Sequence, residues 1–125
     1  MKNNSRETGK NGERIAAEYL KSKGYLIHTM NYGCRYGEID VVAEKDGVLA
    51  FVEVKTRSHT DYGRPADYVN YAKRRRIVSA AEFYLMYNDL GLEPRFDVME
   101  VLVKYDDVRP RYFIHHIEDA FSAGE

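Results

Sequence analysis

The turn at Asp46-Gly47 constrains the fold of this chain more than any other feature of its sequence. β-prone residues flank the turn on both sides, from Glu38 to Glu44 before it and from Val48 to Arg57 after it. An Asp-Gly pair between two such segments favours a tight antiparallel hairpin. The sequence therefore predicts that these two segments are neighbouring strands of one sheet.

The remainder of the chain predicts two helices and three further strands. The expected order is a loose start over 1–10, a helix over 12–23, strands over 25–31, 38–44 and 48–57, a loop over 58–65, a helix over 66–88, strands over 96–104 and 112–117, and a short helical tail. A long helix between strands of one sheet acts as a crossover. We therefore predict a single α/β domain over residues 1–125, with a mixed sheet flanked by helices in the order α-β-β-β-α-β-β.

Composition excludes several classes of protein. The single cysteine, Cys34, excludes an internal disulfide framework and disfavours a cysteine-rich zinc site. No apolar run approaches the ~20 residues needed to span a bilayer. The segment Met1–Gly12 lacks the apolar core of a signal peptide, so a cytoplasmic protein is expected. A zinc site made of histidines is also disfavoured, because the four of them share no ligand spacing: His28, His59, His115 and His116.

Positive charge is concentrated locally, although the net charge of the chain is only −1. The run Lys73–Arg76 carries four positive charges in succession, and Arg57 and Arg64 precede it. Binding of nucleic acid by such a chain requires a basic patch, since the molecule as a whole is not a polycation. The basic run predicts one.

Two charged residues interrupt the most β-prone segment. Side chains alternate along a strand, so Glu53 and Lys55 share one face with Leu49 and Phe51. Burying either charge unpaired would cost several kcal/mol, roughly the stability of a whole domain. They must therefore be paired, bound to a metal or placed at an open cleft. A surface Glu-Lys pair on a half-exposed sheet is the alternative.

Asp40 brings a second acid to the same region. Counting outward from the hairpin turn places it near the level of Val54 or Lys55, within reach of Glu53 on the neighbouring strand. Two carboxylates that close repel each other unless a proton or a cation lies between them, and a hard divalent ion with oxygen ligands suits that arrangement. The alternative is a charge on an edge strand that prevents aggregation.

Each predicted helix places one charged residue on its apolar stripe. Glu13 shares a stripe with Ala16, Ala17 and Leu20, and could reach the site beyond the sheet edge. Lys73 begins a stripe with Ile77 and could reach a phosphate there. The alternative for Glu13 is the general preference of acids for the first turn of a helix. The alternative for Lys73 is a lysine whose stem packs on apolar surface while its charge stays in solvent.

These residues together resemble a known family. Asp40 followed by Glu53-x-Lys55 resembles the core of the PD-(D/E)xK nuclease superfamily, whose usual αβββαβ order matches the predicted one. Ile39 stands where the nominal proline of that motif would be. The helix motif from Gly12 is similar to the opening of archaeal Holliday-junction resolvases. More closely, about residues 9 to 104 resemble the bacterial YraN family of uncharacterised, predicted endonuclease-like proteins. The segments that carry the likeness are Gly12-Glu13 with Ala17, Gly37–Asp40, Phe51–Arg57, Lys73–Ala81 and Arg95–Val98.

The resemblance implies a restriction-endonuclease-like core and a role for each charged residue of the site. The catalytic residues would be Asp40, Glu53 and Lys55. The ligands of Mg²⁺ or Mn²⁺ would be Glu13, Asp40, Glu53 and the backbone carbonyl of Val54, with Glu38 as an outer ligand. The contacts to backbone phosphates would be made by Arg57, Arg64, Lys73, Arg74 and Arg76.

Two functions follow as expectations. The first is a metal-dependent endonuclease that acts on structured or single-stranded nucleic acid, DNA in the first place, in repair, recombination or processing. The second is a non-catalytic module of the same fold that positions nucleic acid for partner proteins. The complete Asp/Glu/Lys set favours the first, and the low net charge favours the second. A homodimer is expected only by analogy with the resolvases. Targeting is expected to come either from selectivity for nucleic-acid structure, such as junctions, flaps or ends, or from a partner protein.

Overall fold

The computed structural model describes residues 5–58 and 69–124, which form a five-stranded mixed sheet with one helix on each face. The elements are α1 (Ser5–Ser22), β1 (Leu26–Cys34), β2 (Gly37–Lys45), β3 (Val48–Ser58), α2 (Tyr71–Tyr87), β4 (Glu93–Tyr105) and β5 (Pro110–Phe121). The strands lie in the order β1-β2-β3-β4-β5, with β3 parallel to β4 and all other neighbours antiparallel. The parallel pair requires a crossover, and α2 provides it. The predicted fold class is confirmed.

The hairpin turn has the backbone conformation that its residues favour. Lys45 pairs with Val48, and the two residues between them have positive φ, 52° at Asp46 and 80° at Gly47. Positive φ at both central residues is the type I′ geometry, which matches the twist of the flanking strands. The turn therefore fixes the register of β2 against β3 as far as Val41 opposite Val52, next to Asp40.

Both faces of the sheet are covered at β3, which is why this strand is apolar on both sides near its start. Leu49 and Phe51 pack with α2, whereas Ala50 and Val52 pack with α1. This alternation places the two helices on opposite faces, as side chains two residues apart in a strand point the same way. Neither described helix is long and apolar enough to cross a membrane.

Two sequence-based boundaries are wrong. The loose start over 1–10 is wrong from Ser5 onward, because α1 already includes that residue. Polar residues carry no apolar periodicity, so the amphipathic pattern begins only at Gly12. The C-terminal helical tail is also wrong, since β5 continues to Phe121, which pairs with Phe96 of β4. Pairing with a distant strand decided that conformation.

The long helix starts later than its predicted beginning at residue 66. Asn70 is the N-cap, and its side-chain oxygen accepts a hydrogen bond from the backbone N–H of Lys73 at 2.9 Å. Such a cap satisfies one of the free donors at a helix start. Residues 66–68 lie outside the described residues. The cap places Lys73 in the first turn of α2, at the end of the helix nearest the site.

Candidate active site

The site forms where β2 separates from β3. Their backbone pairing runs from the hairpin turn to Val41 opposite Val52 and ends there. Ile39 packs on the α2 side and Val41 on the α1 side, so the alternation of β2 changes phase at Asp40. The Asp40 carboxylate takes over the role of a backbone carbonyl and accepts a hydrogen bond from the Val54 N–H at 2.8 Å. The predicted level of Asp40 beside Val54 is confirmed.

The carboxyl of Asp40 lies in an environment that disfavours its charged form. Burial raises the pKa of its carboxyl to about 8, with a further contribution from the negative charge of Glu53 and a smaller one from Glu13. The hydrogen bond from Val54 and the charge of Lys73 act in the opposite direction but do not compensate. The alternative of an edge-strand charge is wrong, because β2 lies between β1 and β3.

Glu53 is buried, with 7% of its surface exposed, and a lysine from α2 neutralises it. The Nζ of Lys73 lies 2.7 Å from a carboxylate oxygen of Glu53. Burial lowers the pKa of Lys73, but its hydrogen bond to Glu53 and the charge of that residue outweigh burial and raise the pKa overall. The alternative of a surface Glu53-Lys55 pair is therefore wrong. The partner of Glu53 is a lysine from a different element.

A cleft of about 360 Å³ opens between the ends of β2, β3 and α2. Its lining residues are Gly37, Glu38, Asp40, Glu53, Lys73, Arg76 and Ile77. The Gly37 backbone lies against Arg76, so that a Cβ there would come within 3.4 Å of the Arg76 carbonyl oxygen. This close approach fixes the strand end against α2, and the cleft brings three carboxylates and two cations into one concave surface.

The structure places the other predicted site residues around this cleft. Lys55 is half-buried beyond Glu53 on β3 and does not line the cleft. Glu13 lies on α1, close enough for its charge to act on Asp40. Gly12 packs so tightly against Thr56 of β3 that an added Cβ would overlap its Oγ1 atom. That glycine allows α1 to approach the sheet and sets the distance of Glu13.

The oxygen donors of the cleft are of the type that a hard cation prefers, but the described side chains alone do not complete a set of ligands. Asp40 and Glu53 are oxygen donors with unfavourable mutual repulsion, and Lys73 already supplies one positive charge there. Within 5–58 and 69–124, no group of three or more His, Cys, Asp or Glu side chains is arranged to hold a metal ion. A divalent ion held by Asp40 and Glu53 would therefore need additional ligands from backbone or water.

The predicted phosphate contacts divide into two groups. Arg76 and Lys73 line the cleft. Arg57 instead lies 3.5 Å from Glu100 of β4, with its Nε atom buried and without a hydrogen bond, and Arg74 donates to the carbonyl of Val69 at 2.9 Å. The remaining predicted contact, Arg64, lies outside the described residues.

A buried polar network on the opposite face of the sheet was missed from sequence. Asp97 is completely buried and accepts two hydrogen bonds from Arg95, at 2.9 and 2.8 Å, and one from His116 at 2.8 Å. It also accepts from the N–H of Asp119 at 3.0 Å, where the β4–β5 register shifts. Burial acts to raise the pKa of Asp97, but these bonds outweigh it and lower the pKa. Asp97 is an acid within a β-prone segment, which is the same signal that singled out Glu53, so the sequence could have indicated this network.

The fold and the site together define the class of the protein. A mixed sheet with β3 parallel to β4, helices on both faces and paired carboxylates where β2 separates from β3 make an α/β domain of the restriction-endonuclease-like type. The chain belongs to the family described as "Uncharacterised protein family UPF0102", whose model matches residues 12–101. This is the YraN family that the sequence resembles, so the predicted family is confirmed.

Individual relatives cover nearly the whole chain. A UPF0102 protein of Flavobacterium psychrophilum is 44% identical over 115 residues, which are 92% of this chain and 93% of the relative. A UPF0102 protein of Myxococcus xanthus is 43% identical over 95% of this chain and 92% of its own length. One from Alkaliphilus oremlandii is 42% identical over 94% of this chain and 99% of its own. Their names carry the family and no activity.

Proposed function

We propose that the protein is a metal-dependent, endonuclease-like phosphodiesterase that acts on structured or single-stranded nucleic acid, DNA in the first place. The observation that carries the proposal is the carboxylate pair of Asp40 and Glu53 in a cleft that also contains two cationic side chains. Burial, with a further contribution from the charge of Glu53, raises the pKa of Asp40 far above that of an ordinary aspartate. Added positive charge beside this carboxyl would favour its charged form.

The proposed ligands surround this pair. Asp40 and Glu53 would hold Mg²⁺ or Mn²⁺ together with the Val54 carbonyl and with Glu13, directly or through water, and Glu38 would act from outside. When bound, such an ion activates water and offsets the charge that develops on phosphate oxygens. Cleavage of a phosphodiester requires both effects.

The side chains of the protein supply the other functions. Lys55 follows Glu53 on the same face of β3; as a cation it would donate hydrogen bonds to the attacking water or to the phosphate rather than bind an ion. Lys73 and Arg76 line the cleft and would hold the backbone phosphates. Such contacts fix the position of the strand without reading its sequence. Arg57, Arg64 and Arg74 would extend the contact beyond the cleft.

Metal titration combined with cleavage assays tests the proposal. Mn²⁺ and Mg²⁺ are titrated calorimetrically into the wild type and Asp40→Asn, and both proteins are then assayed on labelled single strands, flaps and four-way junctions of DNA and RNA. We expect Asp40→Asn to lose both metal binding and cleavage. Metal binding that survives this substitution would overturn the site assignment.

Lys55→Ala tests the role of the lysine separately. We expect cleavage to fall by about 100-fold or more, the usual range for a group that assists proton transfer, while metal affinity stays unchanged. Lys104→Ala, which removes an exposed lysine at the end of β4, is the matched control and should leave both unchanged. An equal loss of binding and cleavage in Lys55→Ala would contradict its catalytic role.

One observation favours the second candidate, a non-catalytic module that positions nucleic acid. Lys73 already neutralises Glu53 at 2.7 Å, and the described residues contain no ready cluster of three ligands. Such a module would bind nucleic acid equally well with and without divalent ions and would cut none of the substrates. Metal binding without cleavage across the whole panel would favour this candidate over the nuclease.

A further inference from the structure

An aromatic surface continues from the cleft along α2. Tyr36, in the turn between β1 and β2, lies 5.7 Å from Phe83 between ring centroids, and Phe83 lies 5.0 Å from Tyr87. The guanidinium of Arg35 is 5.0 Å from the Tyr36 ring and donates a hydrogen bond to its hydroxyl at 2.9 Å. We call this surface the α2 platform, defined by Arg35, Tyr36, Phe83 and Tyr87.

The platform presents aromatic area to solvent in the part of the chain that the structure describes. Tyr87 is 70% exposed and Tyr36 38% exposed, and the neighbouring Met86 is 71% exposed. Single exposed apolar residues are ordinary, but a contiguous group marks a binding surface. Tyr84, next to Phe83 in α2, is buried against Phe51 and joins this helix to the sheet.

The platform is continuous with the cleft on two sides. Tyr36 precedes Gly37, which lines the cleft. On α2, Arg76, Phe83 and Tyr87 follow a spacing of seven and eleven residues, which keeps them on one side of the helix. Lys73 lies about 60° around the helix from this line, so the two cations of the cleft are followed by two aromatic rings, about 10 and 16 Å beyond Arg76 along the helix axis.

The charges on this surface suit a polyanion. Arg35 and Arg76 flank the aromatic rings, and Arg76 is exposed. Glu82 directly precedes Phe83 and projects from a different side of α2, about 100° around the helix from that ring, and Glu38 belongs to the cleft itself. Cations beside exposed rings are the combination that binds an unpaired strand, because phosphates pair with the former and bases stack on the latter.

We propose that the α2 platform binds an unpaired nucleic-acid strand that leads out of the cleft. Only unpaired bases present their flat faces for stacking, whereas a duplex presents phosphates to a surface of this shape. The inference rests on the proposed function and narrows its substrate class: the protein acts next to a single-stranded segment, at a flap, a junction or a frayed end.

Binding measured without divalent ions tests the platform independently of cleavage. The full-length protein is titrated in EDTA against a labelled oligothymidylate strand and against a blunt duplex of the same length, with fluorescence anisotropy as the readout. Loss of one stacking residue lowers affinity for a strand by about ten-fold. We expect that loss for Tyr36→Ala and for Tyr87→Ala on the single strand, with duplex binding within about two-fold of wild type.

Matched variants separate stacking from other causes. Tyr112 of β5 is as exposed as Tyr36, 37% against 38%, and lies at the opposite edge of the sheet, so Tyr112→Ala should leave single-strand binding unchanged. Tyr87→Phe keeps the ring and should keep wild-type affinity. The proposal is overturned if a platform variant loses affinity equally for the single strand and the duplex, or if neither platform variant loses affinity for the single strand.

A second copy of this chain is the rival occupant of the platform. Sedimentation of wild type and Tyr87→Ala decides this case, because a dimer that dissociates in the variant identifies the platform as a subunit interface and overturns strand binding. A mass that is unchanged by the substitution, together with the selective loss of strand affinity, supports it. Failure of the nuclease proposal gives a different result, since wild type would then bind the single strand in EDTA and cut nothing when metal is restored.

Discussion

Replacing Asp40 by asparagine should stabilise the metal-free protein. The amide is nearly the same size as the carboxylate, and its oxygen still accepts the hydrogen bond from Val54. The substitution removes the charge that burial and Glu53 make unfavourable. A site that is built for a cation is expected to show this behaviour, because its residues are held together at a cost to stability.

The magnitude follows from the pKa of Asp40, which rises from 3.8 to about 8 on folding. At about 1.36 kcal/mol per unit, holding this group protonated at pH 7 costs at most ~4 kcal/mol. Solvent at the half-buried cleft screens part of this cost, so we expect Asp40→Asn to raise the free energy of unfolding by about 2 kcal/mol. For a chain of this size that raises Tm by about 6 °C.

The pH dependence has a definite sign. Below pH 4 the carboxyl is protonated in both folded and unfolded states, so it contributes no slope. Between about pH 4 and pH 8 the folded state binds the proton and the unfolded state does not, and stability therefore falls as pH rises. The asparagine variant lacks this fall. The difference in Tm between the two proteins should be small at pH 4 and complete near pH 8.

Thermal unfolding followed by circular dichroism in EDTA, across this pH range, is the assay. Glu38→Gln is the matched control, since this exposed acid of the same cleft stays in solvent on folding, and its Tm should change by less than about 2 °C. Adding Mn²⁺ at one hundred times its Kd should stabilise wild type by about 2.7 kcal/mol and leave Asp40→Asn unchanged. A variant that is no more stable than wild type at pH 8, or equally stabilised at pH 4, would refute the reasoning.

Three further substitutions test the surroundings of the site. Asp97→Asn should destabilise the protein by about 3 kcal/mol in urea unfolding at neutral pH, because it breaks a buried ion pair. This loss of stability should shrink as pH falls below about 4, because the lowered pKa of Asp97 then no longer favours folding. Gly12→Ala should destabilise by about 2 kcal/mol through overlap with Thr56, although alanine is the better helix former, and Thr56→Ala in the same chain should restore stability. Lys73→Met should bind Mn²⁺ about ten-fold more tightly, since a charge-assisted hydrogen bond worth about 1.5 kcal/mol no longer competes for Glu53.

Each of these predictions has its own control. Asp107→Asn removes an exposed acid and should cost far less than Asp97→Asn; equal losses would mean that burial of the ion pair does not matter. A double variant of Gly12 and Thr56 that stays as unstable as Gly12→Ala would point to another cause than overlap. Weaker Mn²⁺ binding by Lys73→Met would show that the lysine supports the ion rather than competing with it.

Much of the fold follows from local rules. The Asp46-Gly47 turn fixes a hairpin because positive φ is accessible to those residues, and period-two alternation then assigns Glu53 to the α2 face. These rules act within a few residues, so they are legible in the sequence. The ends of α1 and β5 were misplaced because polar helix turns carry no periodicity, and because pairing between distant strands overrides local preference.

The sequence by itself determined that Asp40 approaches Val54 on the neighbouring strand, because the two-residue turn sets the hairpin register as far as Val41, which directly follows Asp40. Only the tertiary structure decided how the charges are matched. That Lys73 rather than Lys55 neutralises Glu53 depends on how α2 is rotated about its axis over the sheet. The same rotation brings Phe83 against Tyr36, and neither contact can be derived from spacing along one element, because each joins side chains from separate elements of the fold.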